Sequence, residues 1–188
     1  MKISKAQARE NRRRVVDAAS RLFRQRGFDG VAVADLMTAA GFTHGGFYNH
    51  FQSKEALAAE ALERAFAEMA RKREREKDLA DFVSNYLSEA SRNAPDKSCP
   101  AAALVGDASR QTNETKAVFA QGVEGMIAYV ERRLAKEAAT SGEAARERAV
   151  QLVSAIVGAL ALSRATPKGS SLAQEILAST RRACLREI

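Results

Sequence analysis

The chain has no tryptophan, three prolines, two cysteines and two histidines in 188 residues, and each scarcity removes a class of protein. Both histidines, His44 and His50, stand without a cysteine or carboxylate at ligand spacing, so the sequence offers no metal centre. Without another imidazole it has no Ser/His/Asp set, and neither a glycine-rich phosphate loop nor a nucleophile elbow is visible. No catalytic residue and no cofactor are assigned, and the chain reads as a non-enzyme. Cys99 and Cys184 are too few for a disulfide framework and imply reduced thiols, as in a cytoplasm. The first fourteen residues are polar and basic with no apolar run behind them, which predicts no secretory leader. The longest apolar stretch, Leu152 to Ser163, is too short to cross a bilayer, so no membrane partner is expected.

What remains is helical in character. A hydrophobic content of 46% with so little proline favours an all-α globular protein with a well-buried core. The net charge of +7 is unevenly placed: residues 1–54 hold ten Lys and Arg against four Asp and Glu, the rest twenty against nineteen. A basic end is the electrostatic footprint of a nucleic-acid reader. Lys2 to Arg14 is expected to be a basic arm leading into a first helix whose core face is Val15, Val16, Ala19, Leu22 and Phe23. Gly27 stops it. Arg9, Arg12, Arg13 and Arg14 are candidates for phosphate or minor-groove contact, without a basis for choosing among them.

The most informative stretch is Val33 to Lys54, VADLMTAAGFTHGGFYNHFQSK. Val33, Leu36, Met37 and Ala40 repeat at helical spacing, Gly41 breaks the helix, and Thr43 is placed to cap a second one. Phe47 and Phe51, four apart, turn inward on that second helix and leave His44, Gly45, Tyr48 and Asn49 outward. Gly45 and Gly46 each cost a helix about 1 kcal/mol against alanine. Such a bare face suits close approach to base edges, with Thr43 and His44 at the end that enters a major groove and Tyr48 and Lys54 flanking it as phosphate contacts. The pattern is a helix-turn-helix.

The run GFTHGGFYNHFQSKEAL, Gly41 to Leu57, resembles the DNA-binding domain of TetR-type transcriptional regulators, a resemblance that extends back to about Arg12. It implies a domain at 1–53 with three helices and a C-terminal helical bundle at 54–188 for ligand binding and dimerisation, about nine helices in all. It implies a bacterial, dimeric, ligand-responsive regulator, most often a repressor released by a small apolar or aromatic molecule from a pseudo-palindromic operator in double-stranded DNA. Carried over residue by residue, Thr43 becomes the phosphate-contacting cap, Tyr48 the aromatic phosphate contact and Lys54 the basic one, with His44, Gly45, Gly46 and Asn49 facing bases. Ala32 and Ala34 depart from the family's usual Ser/Thr and basic residue, which removes a backbone contact or cap at that end.

The remainder is read as a bundle. Ser53 is placed to cap a helix carrying Leu62, Ala65, Phe66 and Met69, followed by a run of eight charges, Arg71 to Asp78, read as a solvated connector. Leu79, Phe82, Val83, Tyr86 and Leu87 mark one helix ending near Arg92. Leu104, Val105 and Ala108 mark another that opens at Pro100, with Cys99 at its N-terminus. A long helix runs from about Asn113 to Ala139 on Phe119, Val123, Met126, Val130 and Leu134. Gly122 and Gly125 beside that set admit close helix contact, the default, or a ligand cavity; the resemblance brings the two readings level, with Phe82, Tyr86, Cys99, Phe119, Met126, Tyr129 and Ile156 as the candidate lining of a cavity. Cys99 is open to two readings, a packing residue or a sensor of oxidants and electrophiles. Thr140 to Glu143 and Ser171 to Gln174 have capping-box spacing for two last helices. Their surplus of apolar and small residues points to burial against a second subunit, through Val150, Val153, Val157, Leu160, Ile176, Thr180 and Ala183. A different class of function also fits the charge distribution: a helical adaptor binding acidic partners through the basic N-terminal face.

Overall fold

A computed structural model describes residues 4–138 and 141–188. Among them the backbone forms nine α-helices, two short 3-10 helices and no strand. α1 (Lys5–Arg26) begins sooner than a free arm would allow, because the Ser4 hydroxyl accepts from the Gln7 amide at 3.1 Å and starts the helix there. It ends at Gly27, φ 75°. α2 (Val33–Ala39) and a 3-10 helix, His44–Asn49, follow. α3 (Lys54–Arg73) then starts as its spacing predicts, with the Ser53 hydroxyl accepting from the Ala56 amide at 3.2 Å. It packs on α1 and on α7 (Asn113–Glu137). One apolar core therefore runs through the molecule, from Val15, Leu36 and Phe47 through Leu57 and Leu62 to Leu104, Val130 and Ile156.

Gly122 of α7 serves the close contact with α3. A Cβ there would lie 2.2 Å from the Phe66 ring. Phe119, one turn earlier, stands edge-on to that ring at 5.9 Å between centroids.

Local chemistry alters several expected elements. The helix expected from Leu79 to Arg92 is two, α4 (Leu79–Tyr86) and α5 (Glu89–Asn93). Ser88 caps the second by accepting from the Ser91 amide at 3.1 Å, and this local bond outweighs the apolar stripe. α6 (Pro100–Ala108) buries Leu104 and Ala108 as expected, but Val105 points outward and is 45% exposed. The charge run is not bathed in water on all sides. Arg73 donates to the Gly125 carbonyl at 2.9 Å, Arg132 pairs with Glu74 at 2.7 Å, and Asn85 donates to Glu76 at 2.8 Å. Of the two expected capping boxes, Thr140 lies outside the described residues, and α8 (Gly142–Arg164) starts after Ser141 without a side-chain cap. α9 (Ser171–Arg186) takes Ser170 as its cap residue, also without a side-chain bond, so the Ser171 to Gln174 box does not form. No helix among the described residues is long and apolar enough to cross a membrane.

Candidate functional site

The turn between α2 and the 3-10 helix is built on Gly41, whose φ of 79° favours glycine. A side chain at 41 would also lie 2.8 Å from Arg14 Nη2. Phe47 and Phe51 are buried with ring centroids 5.6 Å apart and pin the segment from within. Thr43, His44, Gly45 and Asn49 are exposed, Gly46 and Lys54 half-buried, and Tyr48 is 72% exposed. Two details differ from expectation. The segment is a 3-10 helix rather than an α-helix, and the Thr43 hydroxyl makes no cap bond; with two glycines the α-helix has little intrinsic support there. At the start of α2 the missing cap at Ala32 is half replaced, since the Asp35 carboxylate accepts from the Ala32 amide at 3.4 Å.

The four N-terminal arginines divide by role, a distinction that composition could not make. Arg14 donates to the Ala40 carbonyl at 2.8 Å, at the C-terminal end of α2, and lies over the Phe42 ring at 4.8 Å. Arg12 bridges the His50 carbonyl to Glu60 of α3 and lies over Phe51 at 4.2 Å. Both guanidinium groups clamp the exposed segment from behind. Arg13 pairs with Glu10 at 2.7 Å. Arg9 is exposed and makes no hydrogen bond or ion pair among the described residues. Gly45 has open space: no atom lies within 4 Å of where its Cβ would stand.

A second feature is a cavity of about 150 Å³ among α3, α4, α5, α7, α8 and the segment that leads into α6. Of the seven expected lining residues it brings together Phe82, Tyr86, Cys99 and Met126. Phe119, Tyr129 and Ile156 lie elsewhere: Phe119 packs on Phe66, Tyr129 donates its hydroxyl to the Arg73 carbonyl at 2.8 Å, and Ile156 is fully buried in the bundle core. Sequence reading missed the polar lining, Lys72, Arg73, Glu76, Asn85 and Ser98. The charge run was the available signal, since three of these five residues come from it. Cys99 is buried, with its thiol 3.6 Å from Met126 Sδ.

One contact joins this cavity to the first helix. Arg24 of α1 is buried, donates to the Ser20 and Ser98 carbonyls at 3.0 Å each, and pairs with Glu68 of α3 at 3.2 Å. Burial works to raise the Glu68 carboxyl, but Lys72 and Arg24 outweigh it and hold it below the usual carboxylate range.

The α8 and α9 faces give a mixed account of the expected subunit contact. Val153 and Leu160 are buried in this chain's own core and cannot be offered to a partner. Val150 and Ala183 are exposed, and Val157, Ile176 and Thr180 half-buried. Leu162 and Leu172, 61% and 52% exposed, were not anticipated. With Ala155, Gly158 and Ser179 they line a shallow groove between the two helices.

Comparison with known proteins places this architecture. The family described as bacterial regulatory proteins, tetR family, matches residues 15–61. The HTH-type transcriptional repressor DhaR of Mycobacterium sp. (strain GP1) is 40% identical over 80 residues, 43% of this chain and 35% of that protein. The matched segment spans about a third of the length of that repressor, and no more of other curated regulators such as those of Bacillus subtilis and Shigella flexneri. The HTH-type transcriptional repressor NemR of Escherichia coli (strain K12) is 25% identical over 135 residues, 66% of this chain and 67% of that one. Its reduced form superposes with a TM-score of 0.77 at 20% identity over 94% of this chain and 96% of that one. A TetR transcriptional regulator from Chloroflexus aurantiacus J-10-FL gives 0.79 at 21% identity, covering 97% and 96%. The helix-turn-helix head is thus similar to the tetR family of bacterial regulatory proteins over residues 15–61, and the all-helical fold of the chain is that of TetR-type structures.

Proposed function

We propose that the protein is a cytoplasmic bacterial repressor that acts as a homodimer, reads a pseudo-palindromic operator and is released from it by a small molecule. Residues 1–53 read DNA and 54–188 bind the effector and the second subunit. The observation that carries the reading is Gly45. Nothing within the chain requires glycine there, yet alanine would favour the helix by about 1 kcal/mol; the requirement comes from outside, from a surface the backbone must approach closely. His44, Gly45, Gly46 and Asn49 face bases, and Thr43, Tyr48, Lys54 and the free Arg9 contact phosphates.

The exposed groove between α8 and α9, with Leu162 and Leu172, supports pairing with a second copy. Two heads then sit about 34–36 Å apart on successive major grooves. Effector binding acts by favouring a subunit arrangement with a different spacing. Arg24 is the device that transmits it: a shift of the cavity wall at Ser98 moves the carbonyl to which this α1 side chain is bonded.

Fluorescence anisotropy with the duplex upstream of the protein's own gene, against a scrambled duplex at several salt concentrations, tests the reading. If six to ten phosphates are neutralised, log affinity falls with log salt at a slope of about −5 to −9. Equal, weak binding to both duplexes would sink it. Tyr48→Phe is expected to weaken binding to all duplexes alike, whereas His44→Ala reorders operator preference; an unchanged ranking removes His44 from base reading.

A second reading concerns the signal. Cys99 lies on the cavity wall beside Met126, so an oxidant that enters can reach it: the thiol takes one oxygen from hydrogen peroxide to give sulfenic acid, and the peroxide is reduced to water. Peroxide-dependent loss of operator binding that Cys99→Ala abolishes would favour this signal over a reversible ligand.

A further inference from the structure

The cavity carries bonding capacity that its apolar walls do not explain. Its volume of about 150 Å³ is that of a site for a single aromatic ring, and Phe82, Met69, Met126 and Leu160 supply apolar contact. Two polar groups of its wall lack matching partners, and a third stands behind the wall. Tyr86 is only 9% exposed, lines the cavity, and its hydroxyl has no hydrogen-bond partner among the described residues. The neighbouring Cys99 thiol is turned to Met126. Arg73, also on the wall, spends one Nη on the Gly125 carbonyl and leaves Nε buried and unpartnered. Arg164 stands behind Ser98, donating to Ser98 Oγ and to the Ser91 carbonyl, with Nη1 buried and unpartnered.

Neither guanidinium forms an ion pair with a carboxylate among the described residues. The one acid on the wall, Glu76, accepts from Asn85 at 2.8 Å; Lys72 is paired with Glu68 at 3.0 Å, and Lys97 adds positive charge. Burial lowers the pKa of both arginines and, with Cys99 beside it, holds the Tyr86 phenol well above its ordinary value, so the phenol enters the site as a donor. A neutral hydrocarbon would leave these donors and both cations unmatched in a desolvated site. An anion would satisfy them.

We propose that this cavity binds a small carboxylate bearing one aromatic ring or an apolar group of that size. Tyr86 Oη and Arg73 Nε hold the carboxylate, Arg164 balances its charge from behind, and Phe82 and Met126 pack against the ring. The assignment deepens the reading of the chain as a ligand-responsive regulator and rests on it only for the consequence on DNA.

Isothermal titration of the full chain with sodium benzoate and with benzyl alcohol, its uncharged counterpart, is the test. Benzoate is expected to bind about tenfold more tightly than benzyl alcohol or better, and Tyr86→Phe to weaken benzoate about tenfold while leaving benzyl alcohol unmoved. Arg73→Lys keeps the charge, loses the Nε donor and is expected to fall between; it guards against a folding defect in the first variant. Benzyl alcohol binding as well as benzoate, a benzoate affinity untouched by both substitutions, or no benzoate binding up to about 10 mM overturns the proposal. The duplex titration separates the two ideas. Selective operator binding without a preference for benzoate ends the carboxylate site and leaves the regulator; a benzoate preference without operator selectivity does the reverse.

Discussion

The head and the effector cavity treat their arginines in opposite ways. Behind the exposed 3-10 segment, Arg12 and Arg14 are spent on the His50 and Ala40 carbonyls and on the Phe51 and Phe42 rings. Around the cavity, Arg73 and Arg164 each keep a buried nitrogen without a partner. A surface that must keep its shape before it meets DNA satisfies its own polar groups. A cavity that selects a ligand leaves capacity unmet, and that capacity defines what fits.

If the head is a rigid, self-satisfied unit, its internal anchor should be the most costly residue to remove. Phe47→Ala is expected to destabilise the protein by about 3–5 kcal/mol in denaturant unfolding and to abolish duplex binding. Loss of binding with unchanged stability would show that the segment is not packed as described. At the other end, Gly122→Ala should cost about 1–3 kcal/mol by driving a methyl into the Phe66 ring, read by thermal unfolding; a neutral result would mean α3 and α7 can separate cheaply. Arg14→Ala should cost about 1 kcal/mol by uncapping α2, and weaken all duplexes equally, since it sets the shape of the segment without touching bases.

The smallest effect is a pH dependence at the junction of the two regions. The Glu68 carboxyl is held below its ordinary value in the folded chain, so its contribution is present above the unfolded carboxyl pKa of about 4.3 and is lost as pH falls through the folded value. Melting curves of the parent and of Glu68→Gln should therefore differ at neutral pH and converge in acid. A constant difference across that range would remove Glu68 from the Arg24 link.

Sequence patterning read the head well because the head is local. Phe47 and Phe51 four apart, Gly41 at a break and Ser53 before Lys54 are signals carried within a few residues, and each maps onto the structure. The failures share one cause, competition from bonds that periodicity does not register. Ser88 followed by Glu89 is a cap signature, and it divides a helix that the apolar stripe alone would continue. Val153 and Leu160 belong to a stripe that is apolar whether it faces a partner or the chain's own core, so spacing could not tell the two apart. The cavity was half legible: its aromatic and sulfur wall came from helical faces, while Lys72 and Arg73 sit in a charge run whose default reading is solvent. The burial of Arg73 depends on Gly125 of α7, 52 residues away, and no local pattern encodes it.

The open space around Gly45 also bears on how such regulators diversify. A side chain introduced there meets no atom of the head, so a substitution at 45 carries little folding penalty and acts instead on the close approach to DNA proposed above. If the chain is the regulator proposed above, a duplicated copy could therefore shed its operator in a single mutational step while keeping both its fold and its cavity, and a binding protein for the same small molecule would be left without a gene to govern.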